Sequence, residues 1–109
     1  MKFQTKSTKV KQYSSGMKRD TDENKPRFDL IPYEPLKRIA DLYARGAVKY
    51  GDSNWKKANS QEEYDRLRAS AARHFNKWLH HIDEGEDEFA GAVWNLIAYE
   101  WHTKHKTTK

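Results

Sequence analysis

The chain contains no cysteine, and this absence excludes disulfide bonds and thiolate metal sites. It also has no apolar run that approaches the roughly 18 residues of a membrane-spanning helix. Nor do the first residues carry the apolar segment of a signal peptide, since Met1 to Lys11 alternates lysines with threonine, serine and glutamine. These absences make a cytoplasmic protein without a membrane partner the simplest expectation.

Several familiar catalytic motifs are missing as well. The sequence has no HExxH pair for zinc, no Walker phosphate loop, no GxGxxG motif and no Ser-His-Asp order. Any nucleotide chemistry would therefore have to use a metal ion and the side chains of a helical bundle.

The basic charge of the chain is concentrated in its tails. Residues 1–19 carry six basic and no acidic side chains, and residues 102–109 carry three basic ones. The body between them holds 12 basic and 16 acidic side chains, so it is mildly acidic although the net charge is +5. Basic tails attract polyanions irrespective of sequence, so we expect nucleic acid to bind only non-specifically, through the tails.

Apolar periodicity predicts an all-α fold, a small bundle of about three main helices preceded by an extended N-terminal segment. The first helix should begin near Pro35 and end before Gly51. Ser60 and Glu63 form a capping box for the second helix, which we expect to end at Gly85. The third helix should open on the acids that follow. Because such a small bundle leaves apolar surface exposed, we expect a homo-oligomer to complete it.

The second helix also carries a regular apolar seam, which predicts the face that packs in the bundle. Its members are Tyr64, Leu67, Ala71, Phe75, Trp78 and Ile82.

The turn between the second and third helices is strongly acidic. Five carboxylates fall within the six positions from Asp83 to Glu88, and three histidines precede them on the second helix. Carboxylate oxygens suit Mg²⁺, and carboxylates combined with imidazole suit Mn²⁺ or Zn²⁺. This turn is therefore a candidate site for a divalent cation. Alternatively, the acids only solvate the turn and cap the third helix.

Asn95 is an unusual polar residue in the middle of the apolar third helix. It shares a helix face with Glu88, and Gly91 lies between them. A buried amide that lacks partners destabilises a protein by about 1–3 kcal/mol, so Asn95 needs a contact. That contact is either a hydrogen bond between helices or a metal or ligand in the gap left by Gly91.

Basic and aromatic residues elsewhere in the chain could complete a nucleotide site. The candidates for phosphate contacts are Lys25, Arg27, Lys49, Arg73 and Lys77. Trp55 could stack on a base, and the nearby Asn54 could read its edge.

Four segments in order resemble one known family. They are KPRFDLIP at 25–32, YARGAVKYGDSNWKK at 43–57, RHFNKW at 73–78 and EDEFAGAVWN at 86–95. The chain resembles the phage dATP/dGTP diphosphohydrolase N-terminal-domain family over about residues 16–102. That family is similar to the MazG-like all-α nucleoside triphosphate pyrophosphohydrolases. The MazG pair of EExxE followed by ExxD is absent here.

The resemblance implies a helical, usually oligomeric protein that binds Mg²⁺ or Mn²⁺ and cleaves a purine deoxynucleoside triphosphate to the monophosphate and pyrophosphate. It implies the host cytoplasm as location if a phage encodes the chain. Glu84 and Glu88 would be catalytic, and the metal ligands would be Glu84, Asp87, Glu88 and Asn95. The nucleotide-binding residues would be Lys25, Arg27, Asp29, Lys49, Tyr50, Asn54, Trp55, Arg73, His74 and Lys77.

On this interpretation, residues 1–15 are a basic disordered arm, 16–103 a helical nucleotide-binding domain, and 104–109 a basic tail. Two other functions remain open. A phage protein with an incomplete carboxylate set could sequester a nucleotide, or a cyclic signalling nucleotide, without cleaving it. A structural or nucleic-acid-associated bundle would instead depend on its basic tails.

Overall fold

Three α-helices account for most of the described residues, and a short hairpin precedes them. The computed structural model describes residues 9–21 and 24–107, with the side chains of the last helix described through residue 104. The elements in chain order are β1 (Val10–Gln12), β2 (Lys18–Asp20), a 3-10 turn (Phe28–Leu30), α1 (Tyr33–Tyr50), a second 3-10 turn (Asn54–Lys57, called the Trp55 turn), α2 (Gln61–Leu79) and α3 (Glu88–Thr107). The predicted all-α fold with three main helices is therefore confirmed.

The chain divides after Pro32 into two units. In the first unit, β1 and β2 form an antiparallel hairpin in which Val10 pairs with Asp20. The sequence did not predict this hairpin, because each strand has only three residues, all exposed, and shows no alternating buried face. Of the predicted arm over 1–15, residues 1–8 lie outside the described part of the chain.

Local signals in the sequence set two of the helix ends in the second unit. At the C-terminal end of α1, Gly51 has a positive φ of 96° and its N–H donates to the Ala47 carbonyl at 2.8 Å. At the start of α2, the Ser60 hydroxyl accepts from the Glu63 N–H at 3.2 Å. The Glu63 carboxylate accepts from the Asn59 N–H at 3.0 Å, and this bond lowers the pKa of Glu63. The predicted Gly51 stop and the capping box are both confirmed.

The predicted C-terminal end of α2 at Gly85 is wrong, because α2 ends at Leu79. His81 adopts the left-handed conformation, with φ of 57°. The Ile82 N–H donates to the Lys77 carbonyl at 2.9 Å, which closes the last turn in a Schellman-type cap. Because a histidine occupies the position that usually holds glycine, the next glycine in the sequence lies six residues after the true helix end.

The third helix is the central element of the second unit, since both α1 and α2 pack against it. Its buried apolar residues are small: Ala90, Ala92 and Ala98. Small side chains let the helix backbones approach closely, so polar groups at these contacts are removed from water. No helix in the described part of the chain has both the length and the apolarity needed to cross a bilayer.

One end of the predicted seam on α2 is exposed. Ala71 is buried, but Phe75, Trp78 and Ile82 remain 45–51% exposed. The stripe that faces α3 passes through His74 instead, so Phe75, Trp78 and Ile82 lie to one side of it. Together with Leu79 they form an apolar surface, which we call the α2 patch. That a second copy of the chain covers this patch stays a prediction.

Candidate functional site

A cavity of 620 Å³ lies within the second unit, between the C-terminal half of α1, the Trp55 turn and the first turns of α3. One side of the cavity carries His74, Glu86 and Asn95. The other side carries Lys49 and the aromatic residues beside it. The cavity therefore joins an acidic end to a cationic and aromatic wall.

A buried histidine–carboxylate pair lies at the acidic end. His74 Nδ1 is 2.7 Å from Glu88 Oε1, and the Glu88 side chain is only 6% exposed. Glu86 Oε2 lies 3.9 Å from the same nitrogen, and its side chain is 60% exposed. Among the described residues, Glu88 Oε2 is buried and has no hydrogen-bond partner. A buried carboxylate oxygen without a partner is costly, so this atom is suited to a ligand.

These three side chains, which we call the His74 cluster, have the spacing of metal ligands. One donor atom from each of His74, Glu86 and Glu88 lies within 4.8 Å of the other two. A single cation can therefore contact all three after small side-chain movements. An imidazole with two carboxylates suits Mn²⁺ better than Mg²⁺, which prefers oxygen ligands.

Gly91 explains how His74 reaches the cluster. A Cβ atom at Gly91 would lie 2.8 Å from His74 Cγ and Nδ1, closer than van der Waals contact allows. The gap at Gly91 was a candidate position for a ligand, but the imidazole ring of His74 fills it. The glycine therefore supports the site indirectly, by letting the ring lie against the α3 backbone.

Asn95 lines the cavity one turn beyond Gly91 and is buried. Its Nδ2 donates to the Gly91 carbonyl at 2.8 Å, within α3 itself. This bond satisfies part of the amide without joining two helices. Its amide oxygen takes no part in this bond, and a metal contact through that oxygen stays a prediction.

Asp87 caps α3 and binds α1. Its Oδ1 accepts from the Ala90 N–H at 3.0 Å, as expected for an N-cap residue. The Arg38 guanidinium donates to both carboxylate oxygens at 2.7 Å and holds the pKa of Asp87 below its ordinary value. A role for Asp87 as a metal ligand, which stays a prediction, would require these contacts to rearrange.

The remaining acidic and basic candidates of this region lie outside the cavity wall. Lys77 Nζ is 2.7 Å from Glu84 Oε1, and this contact raises the pKa of Lys77. Glu84 is 58% exposed. In the part of the chain that the structure describes, the wall of the 620 Å³ cavity includes neither Glu84, Lys77 nor Arg73. Their assigned roles stay predictions.

The opposite wall brings together four of the predicted nucleotide-binding residues. Lys49, Tyr50, Asn54 and Trp55 all line the cavity. The Trp55 ring packs edge-to-face against Trp101, with centroids 5.3 Å apart. Trp55 is thus fixed in an aromatic cluster, and only part of its ring faces the cavity.

His102 fixes the Trp55 turn to α3. It is buried, and its Nε2 lies 2.9 Å from the Trp55 carbonyl oxygen. For this contact to be a hydrogen bond, Nε2 must carry the proton and donate it. His102 is not recognisable from the sequence, because nothing in the local pattern shows that it faces a residue 47 positions away.

Arg45 also lines the cavity and was not among the predicted site residues. It lies one helical turn before Lys49 and seven residues after Arg38. The spacing of these three basic residues along one face of α1 could have identified Arg45 from the sequence. The pKa of Asp87 is lowered mainly by its hydrogen bonds from Arg38, and the positive charge of Arg45 adds to the same effect. Glu86 and Trp94 also line the cavity and were not selected.

Three candidates lie in the first unit. Arg27 Nε and Nη2 donate to the Asp29 carboxylate at 2.9 and 2.8 Å, and this pair lowers the pKa of Asp29. Lys25 lies two residues before Arg27 and is half-buried. The nucleotide contacts assigned to these residues stay predictions.

Comparison with known proteins identifies a family to which the chain is similar. The family model described as dATP/dGTP diphosphohydrolase, N-terminal, matches residues 15–109. No curated protein and no solved structure matches the chain. The match covers all three helices and every residue of the cavity wall. The chain therefore belongs to the dATP/dGTP diphosphohydrolase N-terminal domain family.

Proposed function

We propose that the protein is a metal-dependent diphosphohydrolase that converts a purine deoxynucleoside triphosphate to its monophosphate and pyrophosphate. The observation that carries this proposal is the buried Glu88 carboxylate, which pairs with His74 and keeps one oxygen without a partner. Glu88 itself is not part of the wall of the 620 Å³ cavity, but its partner His74 is, and the same wall bears cations and aromatic rings. The family match supports the same reaction class.

The residues of the His74 cluster fit a divalent cation. Glu88 and Glu86 would supply carboxylate oxygens, and His74 would supply a ring nitrogen. Mn²⁺ is the favoured ion and Mg²⁺ the alternative. Such a cation would offset phosphate charge and polarise a phosphoryl oxygen. The sequence-derived ligands Glu84 and Asp87 could join only by releasing Lys77 and Arg38.

The cationic wall would hold the phosphates. Arg45 and Lys49 lie four residues apart on α1 and line the cavity, so their charges can act together on one phosphate chain. Arg38 is already paired with Asp87 and contributes less. The nucleoside would lie toward Tyr50 and Asn54, where an aromatic ring and an amide are available.

Hydrolysis requires water to attack a phosphorus atom while the bond that joins the α- and β-phosphates breaks. The proton released from water needs an acceptor at the cavity. Glu86 lines the cavity, and its exposed carboxylate can accept that proton. Before a cation binds, Glu88 keeps the His74 ring oriented by its 2.7 Å contact.

The test is incubation of the protein with dATP and dGTP in Mn²⁺ or Mg²⁺, with pyrophosphate as the readout. We expect release from the wild type, and at least a hundredfold loss in Glu88→Gln with the helical circular dichroism unchanged. The matched control is Glu62→Gln, an exposed acid in the first turn of α2 that should leave turnover unchanged. No pyrophosphate from either nucleotide, at protein concentrations near the substrate's, would refute the proposal.

A second candidate is binding without cleavage. It is favoured by the pairing of Glu84 and Asp87 with basic residues, which leaves fewer free carboxylates for catalysis. Recovery of intact nucleotide after tight, metal-independent binding would support this function and exclude the hydrolase.

A further inference from the structure

Gly46 occupies a position in α1 where the helix itself has no use for glycine. It lies inside α1, four residues before Tyr50, the last residue of the helix. Glycine in a helix interior is less favourable than alanine, because its backbone loses more conformational freedom on folding. A helical glycine therefore needs a reason outside the helix.

Close packing is one such reason, and it applies to only one of the two helical glycines of the described chain. A Cβ atom at Gly91 would lie 2.8 Å from the His74 ring. A Cβ atom built at Gly46 would meet no atom within 4 Å. Packing therefore explains Gly91, whereas no contact among the described residues explains Gly46.

The open space beside Gly46 belongs to the cavity. Gly46 forms part of the cavity wall, together with Tyr43 and Tyr50 on the same helix. Gly46 shares a face of α1 with Tyr43 and Tyr50, which lie three residues before it and four residues after it. The open space beside Gly46 therefore adjoins the aromatic part of the cavity wall.

We propose that Gly46 is a specificity-determining residue whose bare backbone lets the nucleoside part of a bound nucleotide lie directly against α1. Any side chain at this position would occupy the space that the nucleoside uses. This inference rests on the proposed function, because it assumes that the cavity binds a nucleotide whose phosphates extend from Arg45 and Lys49 toward the His74 cluster. The inference goes beyond that function in one respect: where the nucleoside lies, the cavity is bounded by the main chain of α1 and not by a side chain.

Gly46→Ala tests the inference, with tripolyphosphate as a probe that has the phosphates but no nucleoside. One misplaced methylene in a binding pocket changes discrimination by about 10–200-fold. We therefore expect KM and Kd for dATP and dGTP to rise at least tenfold, with a smaller change in kcat. Inhibition by tripolyphosphate should be unchanged. The melting temperature should rise by about 4 °C, because alanine favours the helix.

Ala44→Gly is the matched control. Ala44 is an exposed residue of α1 outside the cavity wall of the described chain. Its exchange should lower the melting temperature and leave nucleotide affinity unchanged. The double variant with Gly46→Ala should regain wild-type stability and retain the loss of affinity, which separates the two effects.

Three results would overturn the inference. They are an unchanged nucleotide affinity in Gly46→Ala, an equal loss of tripolyphosphate inhibition, and a lower melting temperature. Turnover by the wild type with an unaffected Gly46→Ala variant would refute the inference alone. A wild type that neither binds nor cleaves any nucleotide would refute the proposed function and the inference with it.

Discussion

Gly91→Ala should disrupt the His74 cluster, because the added methyl group and the His74 ring cannot occupy the same space. The new Cβ would lie 2.8 Å from two ring atoms and 2.9 Å from a third. Overpacking of this kind destabilises a protein by about 1–3 kcal/mol. The higher helix propensity of alanine offsets about 1 kcal/mol of this destabilisation. We therefore expect a net loss of about 0–2 kcal/mol in the free energy of unfolding.

A double-mutant cycle with His74→Ala isolates the clash. In the His74→Ala background the ring is absent, so Gly91→Ala should become neutral or stabilising there. The coupling energy should be about 1–3 kcal/mol, which is typical of residues in direct contact. Urea denaturation gives the free energy of unfolding of all four proteins. Pyrophosphate release shows whether displacement of the His74 ring also stops turnover.

Two results would contradict the reasoning. If Gly91→Ala destabilises the His74→Ala protein as much as the wild type, the ring is not what the methyl group meets. If the single variant is as stable and active as the wild type, His74 does not need its position over Gly91.

The remaining predictions concern α3 and the α2 patch. Asp87→Asn should lose about 0.5–2 kcal/mol from the weakened cap and ion pair. Because Arg38 lowers the folded-state pKa of Asp87, its contribution is present above the unfolded pKa near 4 and is lost as pH falls through the folded value. Below about pH 4, the free energy of unfolding of the wild type should therefore fall more steeply than that of the variant, as measured by urea denaturation at a series of pH values. Trp78→Glu should shift an oligomer toward monomers in sedimentation, whereas an unchanged mass would exclude the α2 patch as the interface.

Short-range signals in the sequence were sufficient to predict much of the fold. Ser60 and Glu63 are three residues apart, so their reciprocal capping is visible in the sequence. The same is true of Gly51, whose left-handed conformation ends α1. His81 was missed because non-glycine residues adopt this conformation rarely, and only its surroundings show when they do.

The candidate site was predictable as a region but not as a set of contacts. The acids after α2 and the glycine at 91 indicated where a site should lie. The pairing of Asp87 with Arg38 joins residues 49 positions apart, and no local pattern predicts such a contact. Arg45 was recoverable from helical spacing, whereas the position of His74 over Gly91 depends on how closely α2 and α3 approach.

The acidic end of the cavity and the Trp55 turn are both attached to the same helix, α3. Glu88 opens α3, and His102, which fixes the Trp55 turn, follows it by 14 residues, about 21 Å along the axis. Since an α-helix neither stretches nor shortens under ordinary forces, the separation between these attachment points is constant. A movement that separated the Trp55 turn from the start of α3 would therefore have to bend this helix or break the contact between His102 and Trp55.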